Sequence, residues 1–235
     1  MKIKKNCLII GASGGIGSAI TKKLAKENYN LFLIGKNKKK LLKLKKEIEK
    51  ENTIVEIESV DLTDKKQIDK SIKKIRKIFG RIDILINTSG LFLIKSIDKT
   101  TIKEFEDSFK INVIAPIIFS KEFSKDMKKS KWGRIVNIGS SSAYNGFKNS
   151  TAYCSSKHAL LGFSRALFSE LKDNNVRVYS ISPGSTQTKM GKLSKDQKFE
   201  TFLEPKEIAD YVTFVIGFDK QLISEEIRLN RMQIK

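Results

Sequence analysis

The chain is 235 residues long, with 46 Lys and Arg against 26 Asp and Glu, a net charge of +20, one histidine, two cysteines and three prolines. That length can bury a large core in one domain, while two distant cysteines and a lone His158 supply neither a disulfide framework nor a metal cluster. The positive charge is spread through 38–46, 65–77 and 121–131 between apolar positions such as Leu41 and Leu44 or Ile68, Ile72 and Ile75, which is the pattern of solvated helix faces. Aromatic and basic residues do not alternate as they do in base-stacking surfaces, so no nucleic-acid partner is expected. No apolar run approaches the ~20 residues of a membrane span, and Met1-Lys2-Ile3 leads straight into the first strand without the apolar core of a signal peptide. A cytoplasmic protein with no membrane partner is expected.

In chain order, the first strand is predicted at 7–10. It feeds Gly11-Ala12-Ser13-Gly14-Gly15-Ile16-Gly17 and then a helix over 16–28 with apolar Ile16, Ile20 and Leu24. A buried strand, a glycine turn and a helix N-terminus make a phosphate cradle: glycines let the backbone approach a pyrophosphate, and free N–H groups attract it. The second strand is predicted at 31–34, followed by Gly35 and Lys36. An acid at this place would bind the ribose 2′-OH of NAD, whereas a base favours the 2′-phosphate of NADP. The charge therefore favours NADP(H) over NAD(H).

A helix over 38–51, a strand at 54–59, a helix over 64–79 and a strand at 82–86 come next, the last running into Asn87-Thr88-Ser89-Gly90. One helical pattern extends over 98–129. A strand at 134–138, a helix over 151–172, a strand at 177–181 closed by Pro183-Gly184, a helix over 205–217 and a short strand at 227–229 complete the chain. Continuously apolar strands alternating with helices predict an α/β fold in which a parallel sheet is covered on both faces. The expected architecture is a doubly wound, Rossmann-type, three-layer α/β/α domain spanning 1–235, with ligands at the carboxyl ends of the strands.

The stretch Ser140 to Lys157 carries the chemistry. Tyr153 and Lys157 stand four residues apart and share a helix face, so the lysine can sit beneath the phenol and lower a pKa that is otherwise about 10. Ser140 lies 13 residues before Tyr153.

Gly11, Gly15 and Gly17, then Asn87-Thr88-Ser89-Gly90, Asn112, Ser140, Tyr153, Lys157 and Pro183-Gly184 resemble the motifs of the short-chain dehydrogenase/reductase family, in family order and over about four-fifths of the chain. The resemblance implies an NADP(H)-dependent oxidoreductase that moves hydride between nicotinamide and a small-molecule carbonyl or secondary alcohol. Tyr153 would be the acid/base, Lys157 would tune it and bind the nicotinamide ribose, Ser140 would hold the substrate oxygen, and Asn112 would hold a water of the proton relay. For the cofactor it implies Gly11, Ser13, Gly15, Ile16 and Gly17 at the phosphates, with Lys36 at the 2′-phosphate. Asp61 would contact the adenine, Leu62, Asn87 and Gly90 would also line the cofactor, and Pro183, Gly184, Thr186 and Thr188 would lie at the nicotinamide end. It also implies a homodimer or homotetramer, with helices near 98–129 and 151–172 at the contact.

Ile10 stands where the family commonly has Thr, Thr88-Ser89 where it has Asn-Ala, and the C-terminus lacks the Asp-Gly-Gly of tetrameric relatives. Two alternatives stay open, a 3-oxoacyl carrier-protein reductase and a non-catalytic dinucleotide-binding sensor or scaffold. The substrate pocket is expected from 91–95, 143–149 and 189–203.

Overall fold

The computed structural model describes residues 4–49, 53–194 and 197–232. The predicted helix end at 50–51, the two chain ends at 1–3 and 233–235, and positions 195–196 of the expected pocket lie outside them. Seven strands form one sheet: β1 (Asn6–Ile10), β2 (Asn30–Gly35), β3 (Val55–Ser59), β4 (Ile84–Asn87), β5 (Gly133–Ile138), β6 (Val176–Pro183) and β7 (Glu226–Leu229). Their order is β3-β2-β1-β4-β5-β6-β7 and every pairing is parallel. The order reverses between β1 and β4, which opens a crevice at the carboxyl ends of those strands.

Helices α1 (Gly15–Lys26), α2 (Lys38–Ile48) and α7 (Pro205–Gly217) cover one face, and α3 (Lys65–Phe79), α5 (Ala115–Lys129) and α6 (Thr151–Leu171) the other. Alternate residues of each central strand serve the two cores. Ile9 and Leu33 pack with Ile20, Leu24 and Leu41, whereas Leu8 and Phe32 pack with Ile68, Ile75, Phe119 and Phe123. That two-sided burial is why these strands read as unbroken apolar runs. Truncating a ring such as Phe123 to Ala would cost about 3–5 kcal/mol. The lysine runs lie on the outer helix faces, and among the described residues no helix is long and apolar enough to cross a membrane.

Local signals set the boundaries. Asn37 accepts from the Lys40 N–H at the start of α2, and Asp64 accepts from Lys66 and Gln67 at the start of α3. Gly80, at φ +68°, ends α3.

The stretch predicted as one helix over 98–129 is interrupted. A short 3-10 turn (Ile97–Lys99) precedes α4 (Ile102–Phe109), which starts on a capping box between Thr101 and Glu104. A π-helical turn (Lys110–Ile114) then joins α4 to α5. Its cause is Pro116, which has no N–H to give to the Asn112 carbonyl four residues back. The turn widens, and the Ala115 N–H donates to Lys110, five residues earlier.

Candidate active site

The expected site residues meet at the carboxyl edge of the sheet. β1 ends in the turn Gly11–Gly17, and Gly11, at φ +85°, takes a conformation that side-chain-bearing residues avoid; a Cβ on it would stand 2.6 Å from the Ser89 nitrogen. Thr88, the departure from the family pattern, donates both its N–H and its hydroxyl to the Ile10 carbonyl (2.8 Å each) and ties this turn to β4. α1 begins with Gly14 at its cap and no side-chain hydrogen bond to its first amides, in contrast to the capped α2, α3 and α4. Ile16 packs sideways on the core, leaving backbone N–H groups of this turn for an anion.

At the end of β2, a Cβ on Gly35 would stand 2.7 Å from the Ser13 hydroxyl, so Ser13 and Lys36 share one corner. Lys36 and Asp61, expected at different parts of a cofactor, face each other: Lys36 Nζ lies 2.7 Å from Asp61 Oδ2. That contact, with hydrogen bonds from Thr63, holds the Asp61 carboxyl down to about 2. The lysine side chain is 80% exposed, so the pair is weak and open to exchange. Leu62 packs against the core, leaving only its backbone for a ligand. Asn87 donates to Asn137 Oδ1 (2.7 Å), while its own Oδ1 is buried with no partner among the described residues. The uncapped helix, the orphaned Asn87 oxygen and the Ser13–Lys36 corner fit a nicotinamide dinucleotide.

Tyr153 and Lys157 project from the first turns of α6, and both are nearly inaccessible. The Ser140 hydroxyl favours the ionised form of the Tyr153 phenol, but burial outweighs it and pushes the phenol up to about 12. Lys157 donates to the Ile138 carbonyl (2.8 Å), its Nζ is 5.8 Å from the Tyr153 ring centre, and burial pulls it down to about 8. This corrects the expectation that the lysine depresses the phenol. In this dry site the loss of water around each group outweighs their mutual field.

Asn112 sits in the π turn, and both ends of its side-chain amide are hydrogen-bonded. Its Oδ1 accepts from the Leu91 N–H (2.7 Å), and its Nδ2 donates to the Leu91 carbonyl (3.1 Å), Ser156 (2.9 Å) and Ser108 (3.3 Å). Ser156 in turn donates to the Tyr153 carbonyl (2.7 Å). A fully buried Ser108–Asn112–Ser156 network therefore joins α4, the π turn, α6 and the segment after β4. The amide hydrogens of the side chain are committed within this network, and Pro116 leaves the Asn112 carbonyl without its α-helical donor. Ser108 and Ser156 are additions to the expected set, signalled by small polar residues one turn from Asn112 and directly before Lys157.

β6 ends in Pro183, and Gly184 leads into a segment that folds back over the glycine turn. The Thr188 methyl lies 2.4 Å from where a Cβ on Gly15 would stand. Its hydroxyl accepts from the Gly191 N–H (3.0 Å), and Thr186 donates its hydroxyl to the Gly184 carbonyl (3.0 Å). Both threonine side chains thus hold the segment's own shape. Gly90 faces Asn112 and Met190. Phe92, in the 91–95 segment expected to line the pocket, packs edge-on against Tyr153 with ring centres 4.7 Å apart.

A family model described as short chain dehydrogenase matches residues 5–198. An uncharacterized oxidoreductase of Staphylococcus saprophyticus is 32% identical over 213 residues, covering 90% of this chain and 91% of its own length. Among solved structures, an alcohol dehydrogenase from the archaeon Thermococcus sibiricus complexed with 5-hydroxy-NADP superposes with a TM-score of 0.87 at 27% identity, covering 97% of both chains. A 4-hydroxyisoleucine dehydrogenase complexed with NADH superposes with a TM-score of 0.86 at 26% identity, again covering 97% of both chains.

Proposed function

The chain belongs to the short-chain dehydrogenase family and is an NAD(P)-dependent oxidoreductase; within it we propose an NADP(H)-dependent reductase of carbonyl compounds, run in reverse on secondary alcohols, with Tyr153 as the acid/base. The observation that carries this reading is the convergence of a buried phenol, its Ser140 partner and a buried ammonium beside the crevice where β1 and β4 diverge.

When bound, the nicotinamide supplies the hydride for reduction or accepts it in oxidation. Tyr153, held protonated by its dry surroundings, donates its proton to the substrate oxygen as negative charge grows there. Ser140 donates a second hydrogen bond to the same oxygen and stabilises that charge. Lys157 faces the tyrosinate left behind, whose negative charge favours the ammonium form of the lysine. Water on the Asn112 carbonyl and Lys157 then returns a proton to Tyr153. The Asn112 side chain acts by position, holding Leu91 and α6 in register.

Lys36 and Ser13 support NADP(H) over NAD(H): a 2′-phosphate would take over Lys36 from Asp61, a charge-assisted contact worth roughly 1.5–3 kcal/mol. Pairing of two copies through α5 and α6 belongs to the same reading; the cleft between these helices sets Ile117, Phe163, Ala166, Leu167 and Leu171 among Lys121, Lys125, Lys128 and Glu170. Nicotinamide absorbance, followed with NADPH and NADH over a panel of ketones and aldehydes, tests the proposal. NADPH should support turnover at least about tenfold better at limiting cofactor. A protein that consumes neither cofactor with any carbonyl, and reduces neither with any alcohol, would overturn it.

A further inference from the structure

The mouth of the Tyr153 site is built from apolar side chains. Phe92 shields one side of the Tyr153 ring. Met190 reaches across from the segment after β6, its methyl 3.7 Å from where a Cβ on Gly90 would stand, two residues before Phe92. The Lys95 N–H donates to the Asn149 carbonyl (2.6 Å) and ties the segment after β4 to the one before α6. The third wall is held by backbone bonds from Gln187 to Leu203 (2.8 Å) and from Leu203 to Ser185 (3.0 Å). These three segments carry Ile94, Phe147, Met190 and Leu193, which are 46%, 51%, 36% and 50% exposed. Single exposed apolar residues are ordinary, but four on segments that meet at one tyrosine mark a ligand surface.

The charges nearby point the same way. Lys95 is neutralised by both oxygens of Glu104 (2.8 Å each), and Lys192 lies over the Phe199 ring. Lys148 and Lys189 stand in solvent at the rim. No arginine occurs in 91–95, 143–149 or 186–194, and the two that reach the neighbouring walls are engaged: Arg228 lies 4.3 Å over the Tyr144 ring centre, and Arg231 donates to Thr201 and Gln197.

We propose that the substrate is a ketone or aldehyde whose carbonyl carbon bears hydrocarbon groups, received between Phe92, Ile94, Phe147, Met190 and Leu193. This rests on Tyr153 being the acid. Oxo acids and keto sugars, whose carbonyl carbon is flanked by carboxylate or hydroxyl-bearing carbon, are disfavoured, because their polar groups would lose water against Phe92 and Met190 without gaining a partner.

The test compares kcat/KM, with NADPH, for methyl ketones from butanone to heptanone against hydroxyacetone, which has as many heavy atoms as butanone, and pyruvate, which has one more. The expected result is a rise of roughly fourfold per added methylene, with butanone ahead of both polar comparators. Phe147→Ser and Leu193→Ser should flatten that series while the fluorescence titration of NADPH stays unchanged. A flat series in the wild type, a preference for hydroxyacetone or pyruvate, or an unaltered slope in both variants would overturn the proposal. Saturation-transfer NMR with benzylacetone separates the two readings. Binding without turnover of any carbonyl would sink Tyr153 as the acid and uphold the apolar mouth, whereas absence of binding would overturn the mouth itself.

Discussion

Replacing Lys157 by Met should change how stability depends on pH, and the sign follows from burial. In the unfolded chain the ammonium keeps its ordinary pKa of 10.5; in the fold it drops to about 8. Below about pH 8 both states hold the proton, and the wild type carries the full cost of a buried charge. Between about 8 and 10.5 the folded state releases the proton while the unfolded state keeps it, so stability rises with pH. At 1.36 kcal/mol per pH unit, the gain over this window is roughly 3 kcal/mol. Urea unfolding of both proteins between pH 7 and pH 10.5 reads it directly: wild-type stability relative to Lys157→Met should climb by about that amount. Above pH 10 a second effect opposes it in both proteins. The unfolded chain loses the Tyr153 proton near the ordinary pKa of 10.0, whereas the folded one keeps it to about 12, and stability falls. A wild-type-minus-variant difference that stays flat from pH 7 to pH 10.5 would refute burial as the force that sets Lys157.

Asn112→Ala strips partners from the Leu91 N–H and carbonyl and from Ser156; at about 1–3 kcal/mol per buried group left unpaired, unfolding free energy should fall by at least about 2 kcal/mol. Ser156→Ala should cost less, about 1 kcal/mol, and lower kcat more than it raises KM, because it loosens α6 under Tyr153; an unchanged kcat would remove Ser156 from the positioning network. Lys36→Ala should weaken NADP(H) about tenfold to a hundredfold and leave NAD(H) nearly unchanged, as read by fluorescence titration. Equal losses for both cofactors would reduce Lys36 to one more solvated lysine.

Strand positions were legible because two-sided burial writes unbroken apolar runs, and the glycine turn and the Tyr153–Lys157 spacing carry their geometry in the chain itself. The break within 98–129 was hidden by periodicity: apolar positions keep helical spacing through Phe105, Phe109 and Val113, and only Pro116 betrays the turn that frees the Asn112 carbonyl. Electrostatics were less legible. That Lys36 meets Asp61, or that Lys157 loses its water before it can depress Tyr153, depends on distances and burial that spacing does not encode. Phe92 and Met190 lie in the segments 91–95 and 189–203 expected to form the pocket, but that the Phe92 ring packs edge-on against Tyr153 depends on distances no local pattern encodes.

The proton at Tyr153 is the point on which everything else turns, and Tyr153→Phe removes it with little change of shape. Single-turnover oxidation of NADPH by a ketone substrate, measured alongside NADPH affinity, should show a rate lower by about 10²–10⁴-fold with affinity intact. A variant that keeps more than about a tenth of the wild-type rate would contradict Tyr153 as the acid.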